Sequence, residues 1–234
     1  NKAVISAYYS ELTALAKTNG VALRCTAAVG GGIPWLVNLE RCKRLDTVTE
    51  VGGIMNGTTN YIMDAMHSSP VAFDAILKKA QELGYAEADP SADIDGDDIR
   101  RKLTISANIA FGVTVDKNTV PVAGIRNIQA QDVENFKAHG LVCKLISTGK
   151  CAEGKVSAYV QPTLVKVGEP ESAVPANYNL ITLVGTASGR MSFYGQGAGR
   201  YPTAYNVVQD CVDILSGKGF YCGYGKKVSV DNGE

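Results

Sequence analysis

ELGYAEADPSADIDGDDIRRKL, residues 82–103, sets a carboxylate-rich loop directly before an amphipathic helix that carries a lysine on its first turns. Asp97 and Asp98 suit a helix N-terminus, where unpaired backbone N–H groups and the dipole favour negative charge. Ile99, Leu103 and Ala110 then mark one apolar stripe, and Gly112 supplies a stop. Asp98 and Lys102 are four residues apart and stand one above the other on that helix. Such a pair is either a surface ion pair or an acid and an amine held close enough to pass a proton. Glu87, Asp89, Asp93, Asp95, Asp97 and Asp98 crowd six carboxylates into twelve residues, with Pro90 and Gly96 fixing turns between them. Their repulsion calls for a cation or a ligand. A calcium loop does not fit, because counting from Asp93 places Asp98 and Thr104 at the sixth and twelfth positions, where glycine and glutamate are needed. Counting from Asp89 places Ile94 and Arg100 there. The stretch reads as a site for a small charged metabolite.

Outward from this helix, the punctuation gives an order of elements. Ile5, Tyr8, Leu12 and Leu15 predict a helix over 3–19 that ends at Gly20, and VALRCTAAV, 21–29, reads as a buried strand running into Gly30, Gly31 and Gly32. A helix over 35–45, a strand over 47–54 and a short helix entered through Thr58 or Thr59 follow. Phe73, Ile76, Leu77, Ala80 and Leu83 share one face of a helix that stops at Gly84. Beyond Gly112 the character shifts to strands, at 141–147, 156–160, 179–185 and 190–194. A last helix over 202–215 turns Val207, Val208, Cys211, Val212 and Leu215 inward. Helices interleaved with such strands predict an α+β protein with an open mixed β-sheet covered by helices on one face.

Twenty-three basic residues balance twenty-three acidic ones with no basic stripe, so the chain is not expected to bind nucleic acid. The pairs Lys226-Lys227 and Arg41 to Arg44 read as solvated faces. With 45% hydrophobic residues and no apolar run long enough for a bilayer, no membrane partner is expected. The six cysteines, Cys25, Cys42, Cys143, Cys151, Cys211 and Cys222, form no C-x-x-C pair and read as free thiols. The expected location is the cytoplasm.

GYAEADPSADIDGDDIRRKL, 84–103, resembles the signature of homoserine dehydrogenase, and four further segments join it in family order. Asn1-Lys2 is similar to the family's A-N-K element, AAVGGGIP (27–34) to its glycine turn, GIMNGTTNYI (53–62) to its substrate loop and GQGAGRYPTA (195–204) to its late glycine segment. The resemblance implies NAD- or NADP-dependent interconversion of L-aspartate 4-semialdehyde and L-homoserine. It assigns Lys102 as the proton donor to the substrate oxygen, with Asp98 holding the ammonium in place. Glu87 would meet the substrate ammonium, assisted by Asp93. Gly57 and Thr58 would hold the substrate carboxylate, and Tyr85 would contribute its backbone carbonyl. Lys2 and Gly199 fall at cofactor-binding positions. Val29, Gly31 and Ile33 match carbonyls that bind a monovalent cation, sodium or potassium, and Thr26 stands where the family commonly has glutamate. Read alone, Thr58 is equally an N-cap, Tyr85 a core residue, and the glycine turn a strand-to-helix connection without an ion.

The family resembled here carries a Rossmann domain at its amino end, and no complete fingerprint for one is found. Glycines 30 to 32 fail G-x-G-x-x-G at Trp35, and GQGAG lacks a following βαβ unit. Residues 149–155 fit G-x-x-x-x-G-K, but Val156 replaces the required Ser or Thr. The expectation is therefore a homoserine dehydrogenase with most of its nucleotide-binding domain absent. Residues 1–26 would be a remnant of that domain, 27–200 the catalytic and dimerisation domain, and 201–234 a helix and tail returning to it. Such a chain is expected to be inactive alone and to form a homodimer or larger homo-oligomer. The alternative is a non-catalytic dimerisation or amino-acid-binding module.

Overall fold

The Asn1 side chain accepts hydrogen bonds from the backbone N–H groups of Ala3 and Val4, and so opens α1 (Lys2–Thr18). The computed structural model describes residues 1–221 and 227–233, so Cys222 and Lys226 lie outside the described residues. After α1 come α2 (Trp35–Cys42), β1 (Val48–Ile54), α3 (Gly57–Ser68), α4 (Phe73–Glu82), the single turn α5 (Ser91–Ile94) and α6 (Asp97–Phe111). The second half runs through β2 (Thr114–Val115), α7 (Ala130–Ala138), β3 (Leu141–Ala152), β4 (Lys155–Lys166), β5 (Tyr178–Gly185), β6 (Gly189–Gln196), α8 (Arg200–Leu215) and β7 (Lys227–Val228).

Five strands form one open sheet in the order β4-β3-β1-β5-β6, each antiparallel to its neighbours. Parallel pairing enters through β2 and β7, with Thr114 opposite Lys227. The α+β class, the mixed pairing and the helical layer agree with the sequence. Two glycines let the central strand sit between its partners. A Cβ on Gly52 would lie 2.1 Å from the Ser147 carbonyl, and one on Gly53 would lie 2.3 Å from that of Leu180. Helix α6 packs against β1, β3 and β4, and Ile99, Leu103, Ile105 and Ile109 are buried along it. Gly112, with φ of 66°, ends it in the left-handed conformation, as the sequence predicts.

Three local expectations are corrected. Residues 21–25 form no strand, and Thr26–Ala28 make a single 3-10 turn. Their β-favouring side chains lack a strand to pair with. Instead, the Leu23 N–H donates to the Gly219 carbonyl, that of Cys25 to the Tyr221 hydroxyl and that of Thr26 to Asp210 at 2.8 Å. Helix α7 arises in a stretch for which no particular element was expected, opened by a capping box between Gln129 and Asp132. Helix α8 has its faces reversed. Val207, Val208, Cys211, Val212 and Leu215 are exposed, whereas Asn206, Asp210 and Asp213 are buried. The polar face goes inward because it finds partners there: Arg24 lies 3.2 Å from Asp210 and 3.0 Å from Asp213. On α1, Ile5 is buried and joins the main core with Tyr9, but Tyr8 and Leu15 are exposed.

Candidate active site

Gly96, with φ of 90°, turns the chain into α6 and sets Asp97 and Asp98 in its first turn. Asp97 faces outward and pairs with Arg100 at 2.6 Å. Asp98 faces inward and is buried, and one turn later the Lys102 ammonium donates to its Oδ2 at 2.7 Å. The same ammonium donates to the Met55 carbonyl at 2.7 Å. The end of β1 thus supplies a backbone acceptor beside the lysine. From α1, the Lys2 Nζ comes within 3.2 Å of Asp98 Oδ1. Burial works against the Asp98 charge, but Lys102, Lys2 and the hydrogen bonds from Lys102 and Asn56 overcome it and hold the carboxyl at about 2.

Asn56 ties the cluster together. Its Nδ2 donates to Asp93 Oδ1 at 2.7 Å and to Asp98 Oδ2 at 3.0 Å, while its Oδ1 accepts from the Thr59 backbone N–H at 2.8 Å. The last contact makes Asn56 the N-cap of α3 and fixes which way its amide points. Sequence reasoning missed this residue, although an asparagine just before a helix start is a readable cap signal. Asp93 is half-buried, and burial, then the Asp98 charge, push its carboxyl above the usual range against the hydrogen bonds from Asn56 and Thr58.

The Thr58 hydroxyl lies 2.5 Å from the Tyr85 carbonyl and 3.2 Å from Asp93 Oδ2, so its one proton is engaged within the protein. Gly57 begins α3, and a Cβ there would lie 2.6 Å from the Asn177 carbonyl. Glu87 is exposed on the rim. All these residues line one cleft of about 530 Å³, with Lys2, Asp98 and Lys102 in its wall. A smaller hollow of about 160 Å³ lies elsewhere, between Glu50, Glu171 and Arg190 on the sheet.

Gly31, Gly197, Ala198 and Gly199 make another part of the cleft wall. A Cβ on Gly31 would lie 2.5 Å from the Gly197 carbonyl, and Gly199 has φ of 120°. This wall has almost no side chains, which suits the close approach of a flat ring such as nicotinamide. Three of the residues expected at a cation have carbonyls that accept hydrogen bonds within the protein. The Gly31 carbonyl accepts from Asn206 Nδ2 at 2.6 Å, and the Ile33 carbonyl accepts from the same nitrogen at 3.2 Å and from the Trp35 N–H at 2.7 Å. The Thr26 carbonyl accepts from the Val29 N–H at 3.3 Å.

Among the described residues, no helix is long and apolar enough to cross a membrane. The sequence matches the family model described as homoserine dehydrogenase over residues 34–212. It is 42% identical over 215 residues to the homoserine dehydrogenase of Bacillus subtilis, covering 92% of this chain and 50% of that protein. A solved homoserine dehydrogenase from Thiobacillus denitrificans superposes with a TM-score of 0.90 at 36% identity, over 97% of this chain and 53% of that one. The fold also matches that of a hyperthermophilic archaeal homoserine dehydrogenase solved in complex with NADPH. There the TM-score is 0.77 at 24% identity, over 93% of this chain and 63% of that one. The chain spans about half the length of the curated relatives it matches.

These matches correct the expectation that most of a nucleotide-binding domain is absent. The family model covers most of the chain, and the superposition takes in 97% of it, so both terminal helices belong to the family's fold.

Proposed function

We propose that the cleft performs NAD(P)-dependent interconversion of L-aspartate 4-semialdehyde and L-homoserine, and the premise is plain: the chain belongs to the homoserine dehydrogenase family. The observation that carries the reading is the Lys102 ammonium, buried at the cleft wall between Asp98 and the Met55 carbonyl. In the reducing direction the aldehyde oxygen gains negative charge, and Lys102 is the proton donor that meets it; in the oxidising direction its amine takes the proton back. Asp98 orients the ammonium, and Lys2 balances the second carboxylate oxygen. When bound, the nicotinamide supplies or accepts the hydride, and Lys2 and Gly199 are assigned to hold it.

Glu87 and Asp93 are assigned to the substrate ammonium, and the start of α3 at Gly57 and Thr58 to its carboxylate. The backbone N–H groups do this work, since the Thr58 hydroxyl is engaged with Asp93 and the Tyr85 carbonyl. The cation expected at Thr26, Val29, Gly31 and Ile33 is left out of this reading because Asn206 Nδ2 is bonded to two of those carbonyls, of Gly31 and Ile33. In this reading, residues 27–200 form the catalytic and dimerising part, and residues 1–26 and 201–234 belong to the nucleotide-binding side. Exposed Val207, Val208, Val212 and Leu215 support a homo-oligomer. A cytoplasmic setting suits Cys25, Cys42, Cys143, Cys151 and Cys211, which are free thiols.

The reading is tested by homoserine-dependent reduction of NAD or NADP, followed at the nicotinamide absorbance, and by calorimetry. Glu87→Gln should weaken homoserine binding by a factor of roughly 10 to 100, the worth of a charged hydrogen bond of about 1.5–3 kcal/mol, and leave cofactor affinity unchanged. Equal losses for both would show that Glu87 supports the fold instead.

A further inference from the structure

The buried stripe of α8 is polar, and two of its members, Asn206 and Asp210, meet the turn with the complementary group. Asp210 accepts from the Thr26 N–H and lies 2.5 Å from the Thr26 hydroxyl, so a carboxylate meets donors. One turn earlier, Asn206 meets acceptors: its Nδ2 lies 2.6 Å from the Gly31 carbonyl and 3.2 Å from that of Ile33. Asn206 is buried, and only a donor fits where its nitrogen lies. The Asn206 Oδ1 has no hydrogen-bond partner among the described residues, so nothing on its other side pulls the amide round. The Ile33 carbonyl has a further donor in the Trp35 N–H. An ammonium-like or alkali cation at this point would have to displace an N–H group already bonded to two of its ligands.

We propose that in this chain the Asn206 amide takes the place of a monovalent cation at the glycine turn. Its N–H groups satisfy two of the carbonyls that sodium or potassium would otherwise hold, those of Gly31 and Ile33, and the turn that carries Gly31 to the cleft is kept without an ion. The inference concerns the turn and not the hydride chemistry, so its readout is stability and cation dependence rather than turnover.

The test compares melting temperatures of the purified protein in sodium, potassium and choline chloride at equal ionic strength, choline being too large to enter the turn. The wild type should melt at the same temperature in all three. Asn206→Ala removes the side-chain donor from the Gly31 carbonyl and leaves that of Ile33 with the Trp35 N–H alone, and should melt lower in choline by about 5 °C or more and recover in sodium or potassium. Asn206→Asp keeps the shape but sets an acceptor against acceptors, so it should depend on the cation more steeply and keeps the test open if the alanine variant does not fold. A wild type that loses stability in choline and regains it in sodium or potassium would overturn the proposal. So would variants that are indifferent to the cation. Sodium-23 line broadening by the wild type that potassium reverses would overturn it without any variant.

Discussion

Lys102 on α6 and Lys144 on β3 are both buried, at 8% and 0% exposure, yet only Lys102 lines the cleft. The Lys144 ammonium has Asn60 Oδ1 at 3.0 Å, the Val174 carbonyl at 2.8 Å and Asp64 Oδ1 at 3.6 Å. Two N–H groups thus donate, and a carboxylate stands beyond them at ion-pair distance. Lys102 has two such partners among the described residues, Asp98 and the Met55 carbonyl, each at 2.7 Å. Its third N–H is left for whatever enters the cleft. Burial beside a carboxylate is common to both lysines, so burial does not make a proton donor. What distinguishes Lys102 is an incomplete set of internal partners at the edge of a cavity.

The comparison is broken most directly by removing each lysine. Lys102→Ala should lower turnover by a factor of roughly 100 or more, the usual contribution of general acid catalysis. Lys144→Met should leave turnover per folded molecule near the wild-type value. Its effect should appear in urea unfolding as a loss of about 1–3 kcal/mol, because the buried Asn60 oxygen loses its donor and the Val174 carbonyl keeps only the Asn60 amide. Similar losses of turnover in the two variants, measured per folded molecule, would mean that the free N–H of Lys102 has no special role.

The sequence makes the first lysine legible and hides the second for a physical reason. Asp98 and Lys102 lie on one helix at a spacing of four, so helix geometry alone brings them together. Lys144 lies between Cys143 and Leu145 in a strand, and its partners Asn60 and Val174 are 84 and 30 residues away. Only the closed sheet reveals them. Asn56 is half legible: its cap role is local, but its bridge to Asp98 spans 42 residues. The reversed face of α8 shows the same limit. Valines at helical spacing look like core, and nothing local says that Asn206, Asp210 and Asp213 have partners waiting on the turn and on Arg24. The α+β class was legible because it needs only periodicity and punctuation. The strand over 21–29 was not, because a strand requires a neighbour that no local pattern can supply.

A second way to sharpen the comparison is acid. The Asp98 carboxyl is lowered from 3.8 to about 2, against burial, by Lys102, Lys2 and its hydrogen bonds. A lowered carboxylate stabilises the fold fully above its unfolded value, and that stability is lost as pH falls through the folded value. The wild type should therefore lose about 2 kcal/mol between roughly pH 4 and pH 2 from this group. In Lys102→Met the largest opposing charge is gone, and the loss in this window should shrink. An unchanged acid profile in that variant would show that Lys102 is not what holds Asp98 ionised.

The smallest expected effect lies at the alkaline end and concerns Lys144. Burial, opposed by Asp64, holds its ammonium below the usual 10.5. Between the folded value and 10.5 the unfolded chain still binds a proton that the folded protein has released, so in this window stability rises with pH. The penalty is fully present below the folded value and is relieved as pH climbs through it. Cys143 beside it titrates in a neighbouring range, its thiol raised from 9.0 to about 11 by burial, and it acts in the opposite sense. The comparison therefore belongs in a Cys143→Ala background, with and without Lys144→Met. The protein that keeps Lys144 should gain stability relative to its partner as pH rises towards 10.5, by the denaturant midpoint. A constant difference across that range would mean that Asn60, Val174 and Asp64 fully replace water around the ammonium, and that the two buried lysines differ only in where they face.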